Sequence, residues 1–333
     1  MRVFITGTAG FIGFHLARLL LDEGVCVGGY DGMTDYYDVS LKEARSTLLS
    51  AYPTYSESRG MLEDCAALDA AIDAFAPTVI VHLAAQAGVR YSLENPRAYI
   101  NGNLVGTFNV MEAALRHRVA HLLMASTSSV YGANTEMPFA ETHKADMPLT
   151  IYAASKKANE AMAHSYAHIH ALPTTMFRFF TVYGPWGRPD MAPIKFAKGL
   201  YSGTPIDIYN HGSMRRDFTY VEDLVRGIRG LIDAVPGGPD TAVDGDSLSP
   251  AAPYRVVNIG NSDKVRLLDF IEALETSSGK TALRNYMDMQ PGDVPATWAD
   301  ASLLHRLTGY RPNTPVTEGV ARFIAWYEEY YRP

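Results

Sequence analysis

The segment that most restricts the fold is RVFITGTAGFIG, Arg2 to Gly13, an apolar run that breaks on Gly7, Gly10 and Gly13 and passes into a helix-period pattern. In that pattern Ile12, Leu16, Leu19 and Leu20 repeat at i, i+4, i+7 and i+8, so they share one helix face. Three glycines between a buried strand and a helix each have a mechanical use. One allows a tight turn, one lets backbone approach a pyrophosphate, and one permits close helix-to-strand packing, with phosphates at the helix N-terminus. The spacing is GxxGxxG rather than GxGxxG, so the triplet alone leaves a purely structural turn as an equal alternative. Asp31 decides between them. It ends the next apolar run, 24 positions after Gly7, where a carboxylate accepts hydrogen bonds from an adenosine ribose and repels a 2′-phosphate. Asp35 and Asp38 follow, and no Arg or Lys intervenes before Lys42, which favours NAD over NADP.

The rest of the first half repeats the alternation. Candidate strands are Arg2 to Ile5, Val25 to Tyr30, Thr78 to Ala84, His121 to Ser126 and Thr174 to Phe180, separated by helix-period stretches. TVIVHLAA is apolar almost throughout, as befits a strand covered on both faces. Right-handed crossovers then predict an α/β fold, a doubly wound parallel sheet of the Rossmann type. Beyond about residue 185 the pieces shorten: a helix near Pro193 to Tyr201, and strands near Ile206 to Tyr209 and Tyr254 to Ile259. We read a NAD-binding domain over residues 1–185, with segments returning near 218–235 and 254–262, and a smaller, interleaved α/β substrate domain over 186–333. The stretch 235–253, rich in Gly, Pro, Asp and Ser and without periodicity, reads as a surface loop.

A chain of 333 residues has room for such a large domain plus a smaller one. Its net charge of -7 offers no general basic field for nucleic acid or an anionic membrane. Cys26 and Cys65 are too few for a disulfide framework, which fits a reducing compartment. No apolar run approaches the roughly 20 residues that span a bilayer, and MRVFITG lacks the regions of a secretion signal. The expected location is the cytoplasm.

Tyr152-Ala-Ala-Ser-Lys156 puts a phenol and an ammonium four residues apart, on one helix face. A nearby cation favours phenolate over phenol, so the pair predicts a general base with its pKa drawn down towards working pH. With 20 tyrosines and 8 lysines, about 0.5 such pairs arise by chance, so the spacing alone carries little. Its context carries more. The preceding strand, HLLMASTSSVYG, ends in four hydroxyl residues, Ser126 to Ser129, at the carboxyl edge where a parallel sheet presents ligands. Strand-end turn chemistry is the competing reading of those hydroxyls.

Taken together, GTAGFIG, HLAAQAGVRYS, STSSVYG, YAASK, RFFTVYGPWGRPDMA, RRDFTYVEDL and MQPGDVPATWAD resemble the extended short-chain dehydrogenase/reductase superfamily. Within it the chain is similar to the UDP-glucuronate 4-epimerases of capsule and cell-wall type, NAD-dependent isomerases of nucleotide sugars used in polysaccharide biosynthesis. The likeness runs from residue 1 to the C-terminus, and GxxGxxG is that superfamily's own spacing. The resemblance implies that Tyr152 is the base, that Lys156 lowers its pKa and holds the nicotinamide ribose, and that Thr127 is the hydroxyl partner where many relatives carry serine. It implies NAD contacts from Gly7, Gly10, Phe11, Ile12, Gly13, Asp31, Leu62, Leu83, Ala84, Ala85 and Phe179, beside Tyr152 and Lys156. Thr127, Ser128, Ser129 and Thr181 would face the sugar's carboxylate, Arg188 and Arg216 would serve the acidic substrate and its diphosphate, and Gln290 and Asp293 would hold the nucleotide ribose. Two positions depart from the pattern. Gln290 stands where many hexose epimerases have arginine. Met61, after Gly60, stands where many relatives have an aspartate that reaches the adenine amine, which leaves adenine to backbone and packing.

The reaction so implied is 4-epimerisation of a UDP-sugar, UDP-glucuronate to UDP-galacturonate, through a transient 4-keto sugar and without net redox change. A 4-keto glucuronate is a β-keto acid that loses carbon dioxide when its C5-to-carboxylate bond aligns with the carbonyl, and the four hydroxyls would pin it out of alignment. The alternatives are 4-epimerisation of UDP-glucose or UDP-N-acetylglucosamine, decarboxylation of UDP-glucuronate and, outside enzymes, a NAD-binding sensor or scaffold on the same fold. Ser128-Ser129, in place of an acid pair, speaks against a dehydratase. His164 and His168 have the i, i+4 spacing of a metal pair, but with His170 they lack a third-ligand context, so a solvated or interface helix face is expected, and no metal. Trp186 and the ending WYEEYY read as packing. The segments Glu94 to His117 and Thr150 to His170 correspond to those that relatives pair across a two-fold axis, which implies a homodimer.

Overall fold

The computed structural model describes residues 1–290 and 292–332. Six strands of the first half are β1 (Arg2–Thr6), β2 (Cys26–Asp31), β3 (Tyr55–Arg59), β4 (Val79–His82), β5 (His121–Thr127) and β6 (Thr174–Phe179). Eight follow: β7 (Thr181–Tyr183), β8 (Ile206–Ile208), β9 (Arg215–Arg216), β10 (Phe218–Tyr220), β11 (Tyr254–Ile259), β12 (Val265–Arg266), β13 (Arg284–Tyr286) and β14 (Ala296–Thr297). The main sheet runs β11-β6-β5-β4-β1-β2-β3, with every neighbour parallel. Strand order reverses between β1 and β4, and the crevice beyond their carboxyl ends is where an open α/β sheet binds ligands.

Burial explains which strands were legible as apolar runs. β4 and β5 are buried at every position and β1 at all but Arg2, as a sheet covered on both faces requires. β3, YSESR, is a polar edge strand in which Ser56 and Arg59 are exposed and no residue is fully buried, so it does not read as an apolar run. β4 is shorter than expected: Leu83 and Ala84 leave the ladder, and both amides turn back to the Thr6 hydroxyl at 3.2 Å.

On one face the helix Phe11–Asp22 packs with Val221–Asp233, joining Leu16 and Leu20 to Leu224 and Ile228 in one core. On the other, Cys65–Phe75, Gly106–Arg116 and Ile151–His170 bury Leu68, Ile72, Val110, Ala163 and Ala167. The small strands pair as β7 with β10, β8 with β13, and β9 between β12 and β14. They surround a separate core in which Phe218 stacks on Phe270 at 4.1 Å. Trp186 lies 5.5 Å from Trp326 and 4.9 Å from Tyr330, so the aromatic C-terminal helix Val316–Tyr331 does pack.

The second half of 235–253 is tied down more firmly than its composition indicates. Asp246 accepts both Nε and Nη2 of Arg255 at 2.8 and 2.9 Å, a pair 3% and 2% exposed. His164 meets the Ser249 hydroxyl at 2.8 Å and His168 the Ala251 carbonyl at 2.7 Å, so these histidines dock that segment onto the Tyr152 helix. Among the described residues no helix is long and apolar enough to cross a membrane.

Candidate active site

Gly7 follows β1 with φ +84, and a Cβ there would lie 2.9 Å from the Ala84 amide nitrogen, so both the turn and the close approach of the strand β4 exit exclude other residues. A Cβ on Gly13 would lie 2.0 Å from the Gly7 carbonyl oxygen, which is the close packing of helix on turn expected from the spacing. No side chain caps the helix at Gly10, and Gly10, Phe11, Ile12 and Gly13 all line one cavity of about 1090 Å³. First-turn amides and the helix dipole therefore meet whatever anion enters. The cavity exceeds the roughly 300–1,000 Å³ of an ordinary small-molecule site, which suits two large ligands side by side.

Asp31 ends β2 and is 8% exposed, with Oδ2 accepting from the Ala9 amide at 3.0 Å and Oδ1 from the Met33 amide at 2.9 Å. Burial pushes its carboxyl pKa up, against the pull of those amides and of Lys42. Asp31, Leu62, Leu83, Ala84, Ala85 and Phe179 line the same cavity. A glycine cradle that no Cβ fits, open helix amides and an acid at the second strand's end together suit a dinucleotide.

Tyr152 and Lys156 stand on the helix Ile151–His170, which Thr150 caps by accepting from the Ala153 amide at 3.2 Å. Lys156 is 3% exposed and donates to the Ala125 carbonyl at 2.9 Å. Burial lowers its pKa to about 8. The Tyr152 phenol does not behave as the helix spacing predicts: burial pushes its pKa up, and the Thr127 hydroxyl and then the Arg188 charge only partly oppose this. The lowering expected from the Lys156 spacing is outweighed by desolvation, which is the larger effect in an enclosed site. Thr127 ends β5, and its Oγ1 accepts from the Ser129 amide at 3.2 Å and faces the Ser129 hydroxyl at 3.3 Å. The turn Ser128–Tyr131 thus presents its hydroxyls beside the phenol, and Ser128, Ser129 and Thr181 all line the cavity.

Arg188, Arg216 and Asp293 line the same cavity. Arg188 donates through Nε and Nη2 to Asp190 at 3.0 and 2.5 Å. Arg216 donates to the Val294 carbonyl at 2.7 Å, and burial lowers its pKa against the charge of Asp293. Gln290 stands outside this lining; its carbonyl accepts from the Asp293 amide at 3.2 Å, so its backbone shapes the turn that carries Asp293. Pro291, within the same motif, lies outside the described residues.

Several residues at the site escaped the sequence reading. Arg90 lies over the Tyr209 ring at 4.1 Å and reaches Asp293 at 3.4 Å, and all three residues line the cavity. Glu160 accepts from Ser126 at 2.6 Å and from Arg178 at 2.8 Å twice, directly behind Thr127 and Phe179. Asn103 bonds Gln86 by both its groups and also Ser155 at 3.0 Å, fixing the loop after β4 to the Tyr152 helix. A charged residue inside an otherwise uncharged strand, Arg178 in TTMFRF, is the readable signal of such a network.

Fold and site define a dinucleotide-binding enzyme of the short-chain dehydrogenase/reductase build. Residues 3–260 match the model of the NAD dependent epimerase/dehydratase family. The chain belongs to that family, and NAD is its cofactor. Over its whole length it is 55% identical to a protein of Rhizobium meliloti (strain 1021) named a probable UDP-glucuronate 4-epimerase, covering 98% of that protein. It is 42% identical to UDP-glucuronate 4-epimerase 1 of Arabidopsis thaliana, across 99% of this chain and 77% of that one. Among solved structures it is similar to UDP-glucuronic acid 4-epimerase from Bacillus cereus in complex with UDP-glucuronic acid and NAD, with a TM-score of 0.88 at 30% identity and 99% of each chain covered.

The Tyr152 surroundings predict a titration. In protein freed of nucleotide, the tyrosinate absorbance that is lost in Tyr152→Phe develops above the 10.0 of an ordinary tyrosine. Thr127→Val moves it higher still. A phenol ionising below 10.0, or one indifferent to Thr127→Val, contradicts this account of the site.

Proposed function

We propose that the chain catalyses the NAD-dependent 4-epimerisation of UDP-glucuronate to UDP-galacturonate. The observation that carries the reading is the row of hydroxyls at Thr127, Ser128, Ser129 and Thr181 beside Tyr152 in one cavity, with no acid pair among Ser126 to Ser129. The relatives named as UDP-glucuronate 4-epimerases support it. Residues 1–185, with the returning segments, take the cofactor on the glycine turn, Asp31 and Lys156, and residues 186–333 supply Arg188, Arg216 and Asp293 to the nucleotide sugar.

Bound NAD supplies a reversible two-electron acceptor for the hydrogen on the sugar's C4. Tyr152 takes the O4 proton as C4 is oxidised and gives it back when C4 is reduced from the other face. Thr127 favours the ionised phenol, the charge of Arg188 acts in the same direction, and the resemblance gives Lys156 a like part. Between the two steps the 4-keto sugar turns over, and the hydroxyls grip its carboxylate so that the bond to C5 stays out of line with the carbonyl. Arg188 and Arg216 balance the diphosphate, and Asp293 accepts from the ribose.

We place this enzyme in the cytoplasm, where its free Cys26 and Cys65 stay reduced, and in the supply of acidic sugar donors for polysaccharide. A homodimer is part of the same reading. The side chains of Ile100, Val105 and Phe108, with Ile151 and Ile169 on the Tyr152 helix, leave apolar surface exposed. Light scattering at micromolar concentration reports a dimer on this reading, and a monomer contradicts it.

Separation of nucleotide sugars after incubation with UDP-glucuronate, UDP-glucose and UDP-N-acetylglucosamine tests the reaction. UDP-galacturonate forms from the first, and Tyr152→Phe lowers turnover about 10²–10⁴-fold. A Ser128→Ala, Thr181→Val double variant releases a decarboxylated UDP-pentose alongside. Pentose as the sole product of the parent reassigns the enzyme to decarboxylation, and turnover of the neutral sugars alone overturns the carboxylate assignment.

A further inference from the structure

Met61 stands where the resemblance places an aspartate that reaches the adenine amine in many relatives, and a thioether offers that amine packing but no strong acceptor. Its side chain is 45% exposed and lies across the end of β2, where a Cβ on Gly32 would come within 2.6 Å of Sδ. Asp64 is already engaged, capping the helix Cys65–Phe75 by accepting from the Ala67 amide at 3.0 Å. Glu63 lies between them in sequence and lines the large cavity. Its carboxylate sits against the π-helical turn Ile100–Val105, with Oε1 3.8 Å from a Cβ placed on Gly102, and the Gln86 amide nitrogen is equally close to that point. Oε2 is buried and accepts no hydrogen bond from any described residue. That shielded oxygen cannot itself meet a ligand, which leaves Oε1, likewise without a donor among the described residues, as the carboxylate oxygen open to a ligand in the cavity.

The strand order fixes what arrives there. With the pyrophosphate on the β1 turn and the ribose on Asp31 at the end of β2, the base extends towards the exit of β3, which is the turn that carries Glu63. That turn is held in place. Tyr30 donates to the Met61 carbonyl at 3.2 Å, and Asn109 donates to the Leu62 carbonyl at 2.8 Å. We propose that Glu63 accepts the hydrogen bond of the cofactor's adenine amine, taking over from the residue that Met61 replaces. The proposal rests on the NAD reading and refines it, since adenine was otherwise left to backbone and packing.

The test is a calorimetric titration of nucleotide-free protein with NAD and with its hypoxanthine counterpart, which carries a carbonyl oxygen in place of the amine and a proton on N1. The parent binds NAD about tenfold more tightly than the counterpart, the scale of one hydrogen bond to a charged acceptor. Glu63→Ala narrows the preference several-fold, chiefly through weaker NAD binding. Glu63→Gln keeps the shape of the turn, and its amide can accept from the amine or donate to the carbonyl, so it binds both ligands within a few-fold. A parent without preference, or either variant that retains the parent's preference, overturns the proposal. A parent that binds neither dinucleotide refutes the NAD site itself, a distinct result.

Discussion

The buried ion pair between Glu160 and Arg178 is the contact on which the geometry of the reacting corner depends. Both side chains are nearly inaccessible, at 2% and 3% exposure, and the guanidinium meets both carboxylate oxygens at 2.8 Å. Burial alone would raise the Glu160 pKa, but the Arg178 pair overrides it and holds the carboxyl below its usual range. The same carboxylate takes the Ser126 hydroxyl and the Lys157 ammonium. Three pieces of chain far apart in sequence are thereby locked: β5 next to Thr127, β6 next to Phe179, and the helix one turn beyond Lys156 and two beyond Tyr152. Loss of either partner would strand a charge in the interior, at a cost of about 3–5 kcal/mol. An exposed ion pair, by contrast, is worth only about 0–1 kcal/mol.

A second set of buried groups fixes the opposite wall relative to the glycine turn. Arg45, fully buried, donates to the Ala9 carbonyl at 2.7 Å and to the Trp186 carbonyl at 2.7 Å, so the cofactor turn and the loop leading to Arg188 share one guanidinium. Asp217 plays the matching part behind the lining residues Arg216 and Phe218, accepting from the amides of Asn261, Ser262 and Ala299 and from the Thr219 hydroxyl. Burial pushes its pKa up to about 6 in spite of those donors. Between these walls the Tyr152 phenol sits where desolvation opposes its ionisation. On the proposed mechanism the surrounding hydroxyl and cations exist to offset that cost at the moment the O4 proton moves.

Local features were readable without coordinates because they are local. The glycine turn, Asp31 at the second strand's end and the hydroxyl run after His121 each combine a backbone requirement with adjacent chemistry, and all of them line one cavity. What sequence did not disclose depends on long-range placement. β3 is polar because it is an edge, and Gln290 contributes a turn rather than a lining side chain. The loop before β11 is pinned because Arg255, like Arg178, is an arginine inside a buried strand that needs a partner from elsewhere. The Tyr152 pKa went astray for a related reason: spacing reveals a neighbouring charge, whereas desolvation is a property of the assembled site.

The central claim is that one carbon, C4, is oxidised and reduced within a single closed site. UDP-glucuronate bearing deuterium at C4, converted in ordinary water and examined by mass spectrometry and NMR, tests this directly. The account predicts UDP-galacturonate that keeps the deuterium at C4. Washout of the label into solvent, or inversion at a carbon other than C4, contradicts it.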